Sequence, residues 1–239
     1  MTDILRPDWA LPAGVQALIT LRSGASAADP YGQHNLAAHV GDDPRRVAAN
    51  RAALLQATPG LNAVQWLNQV HGVDAVPACG GSVVLTADAQ FTTQAGLACA
   101  VLTADCLPVL FCAEDGSQVA AAHAGWRGLA GGVLLNTLAA FAQPEQVLVY
   151  LGPAIGPEVF EVGPEVREAF RWAPDSCFKA GKGDRLLADI YALARHQLQA
   201  AGVKSVAGGN FCTVSDERFY SYRREAKTGR MASLIWRTL

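Results

Sequence analysis

Between Leu97 and His123 three short apolar runs follow one another with almost nothing between them: LACAVLT, then VLFCA, then QVAAAH. The separators, ADCLP and EDGS, leave no room for helical crossovers. The runs are therefore expected as three strands lying side by side and antiparallel. A chain of 239 residues that is 51% apolar can bury a substantial core, and one domain over 1–239 is expected despite the length.

The flanking segments alternate between helix and strand signals. VQALITLR reads as a short strand. Asp43-Pro44 opens a helix over Pro44–Ala57, closed by Pro59-Gly60. GLAGGVLLNTLAAF (128–141) reads as one mostly apolar helix, VLVYLG as a buried strand and MASLIW as a closing strand. RLLADIYALARHQLQAAG has apolar residues at helical spacing and ends at Gly202, a suitable C-cap. The order implies an α/β fold with a mixed sheet. LTAD occurs twice, at Leu85 and Leu102, too short a match to define a repeat.

Three residues carry candidate chemistry. His71 follows LNAVQWLNQV, Cys106 follows LACAVLTAD, and His123 closes SQVAAAH, each at the downstream end of a strand-like run. Side chains at neighbouring strand ends can converge. One thiolate and two imidazoles then make the donor set of a catalytic zinc site with an open position. The spacing alone leaves a plainer alternative open, because it lacks the short ligand spacing of zinc ribbons and fingers. A cysteine in an apolar run is commonly a small buried hydrophobe, as expected of Cys99 and Cys112.

Glycine, proline and arginine collect nearby. HAGWRGLAGG makes a strand-to-helix turn containing Arg127, which could pair with phosphate or simply be solvated. GPAIGP (152–157) is expected to shape a tight loop. FCTVSDERFYSYRREAKTGR sets Arg218, Arg223, Arg224 and Arg230 among Phe219, Tyr220 and Tyr222, where base and anion could be held, or where an amphipathic edge strand could lie. Arg223 and Arg224 alternate across such a strand, so at most one would face a shared pocket. Asn35, His39 and Arg45 belong to a further polar segment that could close over a substrate. Asp189 is expected to cap or pair on its helix, with His196 facing solvent.

A net charge of −2 offers no footprint for nucleic acid or an anionic membrane. MTDILRPDWALPAGV lacks the basic start and long apolar run of a signal peptide or membrane span. Six scattered cysteines suit a reducing cytoplasm better than a disulfide framework.

NLAAHVGDDP, NQVHG, TADCLPVL, HAGWRGL, LGPAIGP with FEVG, CT, and FYSYRRE followed by TGRMAS occur in one order over about Asn35 to Ile235. In these blocks the chain resembles the YfiH-like laccase-domain family, whose members are also called polyphenol oxidases or purine nucleoside phosphorylases. The resemblance implies an α/β sandwich distantly similar to cysteine hydrolase-like domains. It implies zinc bound by His71, Cys106 and His123, with Cu2+ a possible substitute. It further implies phosphorolysis of adenosine, inosine, guanosine and S-methyl-5′-thioadenosine, with adenosine deamination beside it. Purine nucleoside and phosphate are then the partners, and Arg127, Arg223, Arg224, Asn35, His39 and Arg45 are the candidate contacts. The HxE and PCxxC signature of zinc nucleobase deaminases is absent, and no Glu is assigned as proton shuttle. Copper oxidation by a multicopper cluster is poorly supplied, with His34, His39 and His196 as the remaining imidazoles and Met231 the one internal methionine. A metal-free Cys106 hydrolase with His123 or His71 as base, editing peptidoglycan precursors, uses the same residues.

Overall fold

A computed structural model describes residues 3–26, 28–81 and 83–238. The ends of the expected 1–239 domain (1, 2 and 239) therefore lie outside the described residues. Two sheets dominate. One has five strands in the order Ile4–Leu5, Val15–Thr20, Met231–Arg237, Leu97–Thr103, Ala63–Gln65, antiparallel except for the last pairing. The other has six, in the order Ser205–Gly208, Val147–Leu151, Leu107–Ala113, Val119–Ala124, Ala89–Thr92, Ala75–Pro77. Its interior pairings are antiparallel and its two edge strands run parallel to their neighbours. The expected mixed, largely antiparallel α/β sandwich is what forms.

Side-chain alternation explains the stacking. In Leu97–Thr103, Cys99 and Val101 join Val15, Ala17 and Ile19 against Leu110, Cys112, Val119 and Ala121 of the other sheet. Ala98, Ala100 and Leu102 point the opposite way, onto Leu54 of the Pro44–Gln56 helix. Likewise Val109, Phe111, Ala120 and Ala122 turn outward from the six-stranded sheet, onto Leu134 and Leu138 and onto Leu193 and Leu198 of helix Ile190–Ala200. The result is helix, sheet, sheet, helix. Every residue of Leu97–Thr103 is buried, as a strand covered on both faces requires.

The helix ends follow the local signals. Asp43 caps Pro44–Gln56, accepting from Arg45 N at 2.9 Å with Pro44 at the first helical position. Asp189 caps Ile190–Ala200, accepting from Ala192 N at 2.9 Å.

Three expectations need correction. EDGS does form a hairpin, pairing Leu107–Ala113 with Val119–Ala124, but ADCLP does not. Leu97–Thr103 lies in the five-stranded sheet, so the chain crosses from one sheet to the other through Ala104, Asp105 and Cys106. The turn is made by Asp105 at φ +84°, a left-handed conformation that extended-strand reasoning does not anticipate. Second, residues 128–141 are not one helix. Trp126–Gly131 and Val133–Leu138 are separated by Gly132 at φ +100°, a left-handed break that a side chain would resist. Third, Leu186–Ala188 is a strand in a small sheet with Glu161–Val162 and Phe178–Ala180, so the long helix starts only after Asp189.

Leu134 is fully buried between helix and sheet, whereas Leu135 on the same turn is 42% exposed. Leu134→Ala should cost about 2–5 kcal/mol in chemical denaturation, and Leu135→Ala well under half of that.

Candidate metal centre and its cavity

The sheet-to-sheet crossing shapes the site. Asp105 is held in its left-handed turn from three directions. Its carbonyl accepts from Ile155 N at 2.9 Å, one carboxylate oxygen accepts from the Thr213 hydroxyl at 2.6 Å, and the other accepts from Arg223 N at 2.6 Å. With Asp105 so tethered, Cys106 lines the cavity. His71 lies three residues past the short strand Leu67–Asn68, also at positive φ (+60°). The preceding Gln69 docks this loop on the first sheet, its amide donating to Leu102 O at 2.9 Å and accepting from Leu102 N at 2.7 Å. Only His123 sits within a strand, opposite Pro108. His71 and Asp105 are the two non-glycine residues at positive φ among those described, and both serve this one place.

Asp88 holds the assembly together. It is fully buried, and its carboxylate accepts from Val70 N at 3.1 Å, His71 N at 2.9 Å and Gly72 N at 2.7 Å. It also accepts from His123 Nδ1–H at 2.8 Å, while its own carbonyl accepts from His123 N at 2.7 Å. Burial pushes the Asp88 pKa up, but the His123 and backbone N–H bonds outweigh it and hold the carboxyl below its ordinary range. With Nδ1 occupied, His123 presents Nε2 to the site.

One donor atom from each of His71, Cys106 and His123 lies within 4.8 Å of the other two, and Cys106 Sγ is 3.9 Å from His71 Nε2. Donors around a tetrahedral zinc stand about 3.5 Å apart, so the set is of the right scale. Burial alone would raise the Cys106 pKa, but the two histidines bring it down to about 6. Thiolate is the form a metal binds. Gly125 adds a further sign of fit. A Cβ there would stand 2.9 Å from His71 Cδ2 and 3.1 Å from Cys106 Sγ, so only glycine leaves the donors free. These residues can hold a metal ion.

The donors open onto a cavity of about 440 Å³. Trp126, Ile155, Phe160 and Ile190 give it an apolar wall, and His39, Arg127, Arg223, Arg230 and Tyr222 line it too. Of the sequence candidates, His39, Arg127 and Arg223 therefore border the donors. Arg127 lies over Trp126, 4.3 Å from its ring centroid, and Arg223 reaches Val159 O and Glu161 O at 3.3 Å.

Three candidates fall outside the cavity wall. Arg224 turns away, donating to Thr213 O, Val214 O and Phe219 O, because Tyr222–Arg224 is a turn and not the expected strand. Asn35 is fully buried and acts on the backbone, pairing with Ala37, Asp42 and the Arg230 N–H. Arg45 is an exposed residue in the first turn of its helix. Sequence reasoning missed Asp88 and named Arg230 only as one of four arginines in the C-terminal stretch. Asp88 stands in LTADAQ with no motif to mark it, and its role exists only once two distant segments fold over it.

A mixed α/β sandwich with a histidine-cysteine-histidine donor set at its sheet-to-sheet crossing is a protein able to hold a metal ion there. The chain belongs to the family described as multi-copper polyphenol oxidoreductase laccase, whose model matches residues 16–238. It is 52% identical to a Pseudomonas aeruginosa protein named purine nucleoside phosphorylase PA4543, over 99% of each chain. It is 50% identical, again over 99% of each, to purine nucleoside phosphorylase YfiH of Escherichia coli K12. Among solved structures, Neisseria meningitidis protein NMB0706 superposes with a TM-score of 0.92 at 49% identity, over 98% of this chain and 99% of that one.

Cys106→Ala should strip most bound metal from purified protein, while Cys99→Ala, deep between the sheets, should leave elemental analysis unchanged. Asp88→Asn keeps the shape but removes the charge that orders His71 and His123. It should weaken metal affinity about 10–100-fold in a chelator competition.

Proposed function

We propose that this chain is a zinc-dependent purine nucleoside phosphorylase acting on adenosine, inosine, guanosine and S-methyl-5′-thioadenosine, with adenosine deamination as an accompanying reaction. The observation that carries the reading is the surroundings of the donor set. A three-donor site opens into a cavity of about 440 Å³ with an apolar aromatic wall and several cationic side chains. That combination suits a neutral flat base, a ribose and an anion held together. The relatives' name, purine nucleoside phosphorylase, supports a purine nucleoside and phosphate as the substrates. The free state of all six cysteines favours a cytoplasmic setting, and no helix among the described residues is long and apolar enough to cross a membrane.

In phosphorolysis a phosphate oxygen bonds to C1′ as the C1′–N9 bond breaks. The purine departs with the bonding pair and takes up a proton, leaving ribose 1-phosphate. His71, Cys106 and His123 would hold the zinc, which would supply Lewis-acid chemistry at the cavity when bound. The chain supplies the rest. Trp126, Ile155 and Phe160 receive the base, and Tyr222, exposed at the rim, offers a further flat face. His39 and the arginines favour the anion.

Copper could replace zinc at these donors. Among the described residues a second metal cluster has no support: His34 bonds Leu21 O, His196 stacks on Trp172, and the Met231 sulfur accepts from Tyr220 N. A second reading has one observation in its favour. Asp88, His123 and Cys106 stand in the order orienting acid, base and thiol, as in a metal-free thiol hydrolase acting on a peptidoglycan precursor.

With zinc bound and phosphate in excess, purified protein should convert inosine and adenosine to free base and ribose 1-phosphate, and chelation should abolish the reaction. No base release from any purine nucleoside would sink the nucleoside reading. Peptide-bond hydrolysis that survives chelation but not thiol alkylation would establish the hydrolase instead.

A further inference from the structure

We infer that Arg230 is the phosphate-binding residue of this cavity. The assignment rests on the phosphorylase reading and names the anion's seat within it. Three arginines line the cavity, and their situations differ. Arg127 and Arg223 are exposed; the first lies over Trp126 and the second reaches outward to the carbonyls of Val159 and Glu161. Arg230 is half-buried and lines the cavity together with Cys106 and Asp105, its guanidinium carbon 6.0 Å from the Tyr222 ring centroid.

No carboxylate within salt-bridge distance compensates it among the described residues. Asp105, the one carboxylate in the wall, has its oxygens committed to the Thr213 hydroxyl and the Arg223 N–H. A partly desolvated cation without a counter-charge is costly unless a ligand supplies one.

The guanidinium is also fixed in place. Nη1 donates to Thr228 O and Gly229 O, both at 2.9 Å, and the backbone N–H of Arg230 is held by Asn35 Oδ1 at 3.0 Å. Gly229 permits the close approach, since a Cβ there would meet the Tyr220 ring at 2.8 Å and Asn35 Cβ at 3.0 Å. With Nη1 anchored, Nε and Nη2 remain as the paired edge that matches two phosphate oxygens. His39 lies in the same wall, feels the Arg230 charge and adds a polar contact beside it. Asn35 thus serves the anion indirectly, as a positioning residue.

The test is the initial rate of inosine phosphorolysis as a function of phosphate, on zinc-loaded wild type, Arg230→Gln, Arg230→Lys and Arg127→Gln. Arg230→Gln should raise the KM for phosphate tenfold or more, with less than a threefold change in the KM for inosine and one metal per chain retained. Arg230→Lys keeps the charge and loses the fork, so it should give a smaller rise. Arg127→Gln should raise the phosphate KM by less than Arg230→Gln does. An unchanged phosphate KM in Arg230→Gln, or equal rises for phosphate and inosine, would overturn the assignment. If Arg230→Gln fails to fold, an unchanged phosphate KM in Arg230→Lys does so. If wild type has no phosphorolysis at all, the function reading fails separately. The assignment then stands or falls on whether inorganic phosphate binds the zinc-loaded protein in calorimetry and binds at least tenfold more weakly to Arg230→Gln.

Discussion

A single buried carboxylate organises the site. Asp88 gathers three successive backbone N–H groups, at Val70, His71 and Gly72, and the imidazole Nδ1–H of His123. Each bond to a charged acceptor is worth about 1.5–3 kcal/mol. Together they justify a fully buried anion and the positive φ of His71. Without Asp88 the loop carrying His71 would lose its anchor and His123 its tautomer at once. One residue therefore sets the relative placement of two donors more than fifty positions apart.

The third donor depends on the sandwich itself. Cys106 occupies the corner where the chain leaves the five-stranded sheet for the six-stranded one, and Asp105 makes that corner by adopting φ +84°. Contacts from Ile155, Thr213 and Arg223, all distant in sequence, over-determine the strained residue. Comparison with the other cysteines shows what the corner does. Cys99 and Cys112 are buried among apolar neighbours, and burial pushes both thiols up, Cys112 to about 12. Cys106 is brought down to about 6 by two histidines. Residue type is the same; only the corner and its partners differ.

Local chemistry made much of this legible beforehand. Asp43-Pro44, the EDGS hairpin, the apolar runs and Asp189 all act over a few residues, and each gives the element it signals. His71, Cys106 and His123 were recognisable because strand ends and an ordered set of motifs pointed to them. What escaped reading was non-local. ADCLP looks like a hairpin until Met231–Arg237 claims Leu97–Thr103 as its partner. Arg223 and Arg224 look like alternating strand residues until the carbonyls of Thr213, Val214 and Phe219 take Arg224 inward. Asp88 and Arg230 acquire roles only from neighbours that the fold brings to them.

The placement of the donors also links metal to fold. His71 rides on a loop pinned by Gln69 to the first sheet, His123 belongs to the second, and Cys106 sits on the segment joining them. An ion bound by all three would bridge the two layers of the sandwich across their open edge. Binding to the native state alone stabilises it by about 4 kcal/mol when free ligand stands at a thousand times Kd. Two residues held at positive φ, at roughly 1–3 kcal/mol each, are a strain of comparable size. The strain thus falls where a ligand's binding energy can offset it, and the hydrogen bonds of Asp88 and Asp105 keep the donors in register before any ion arrives.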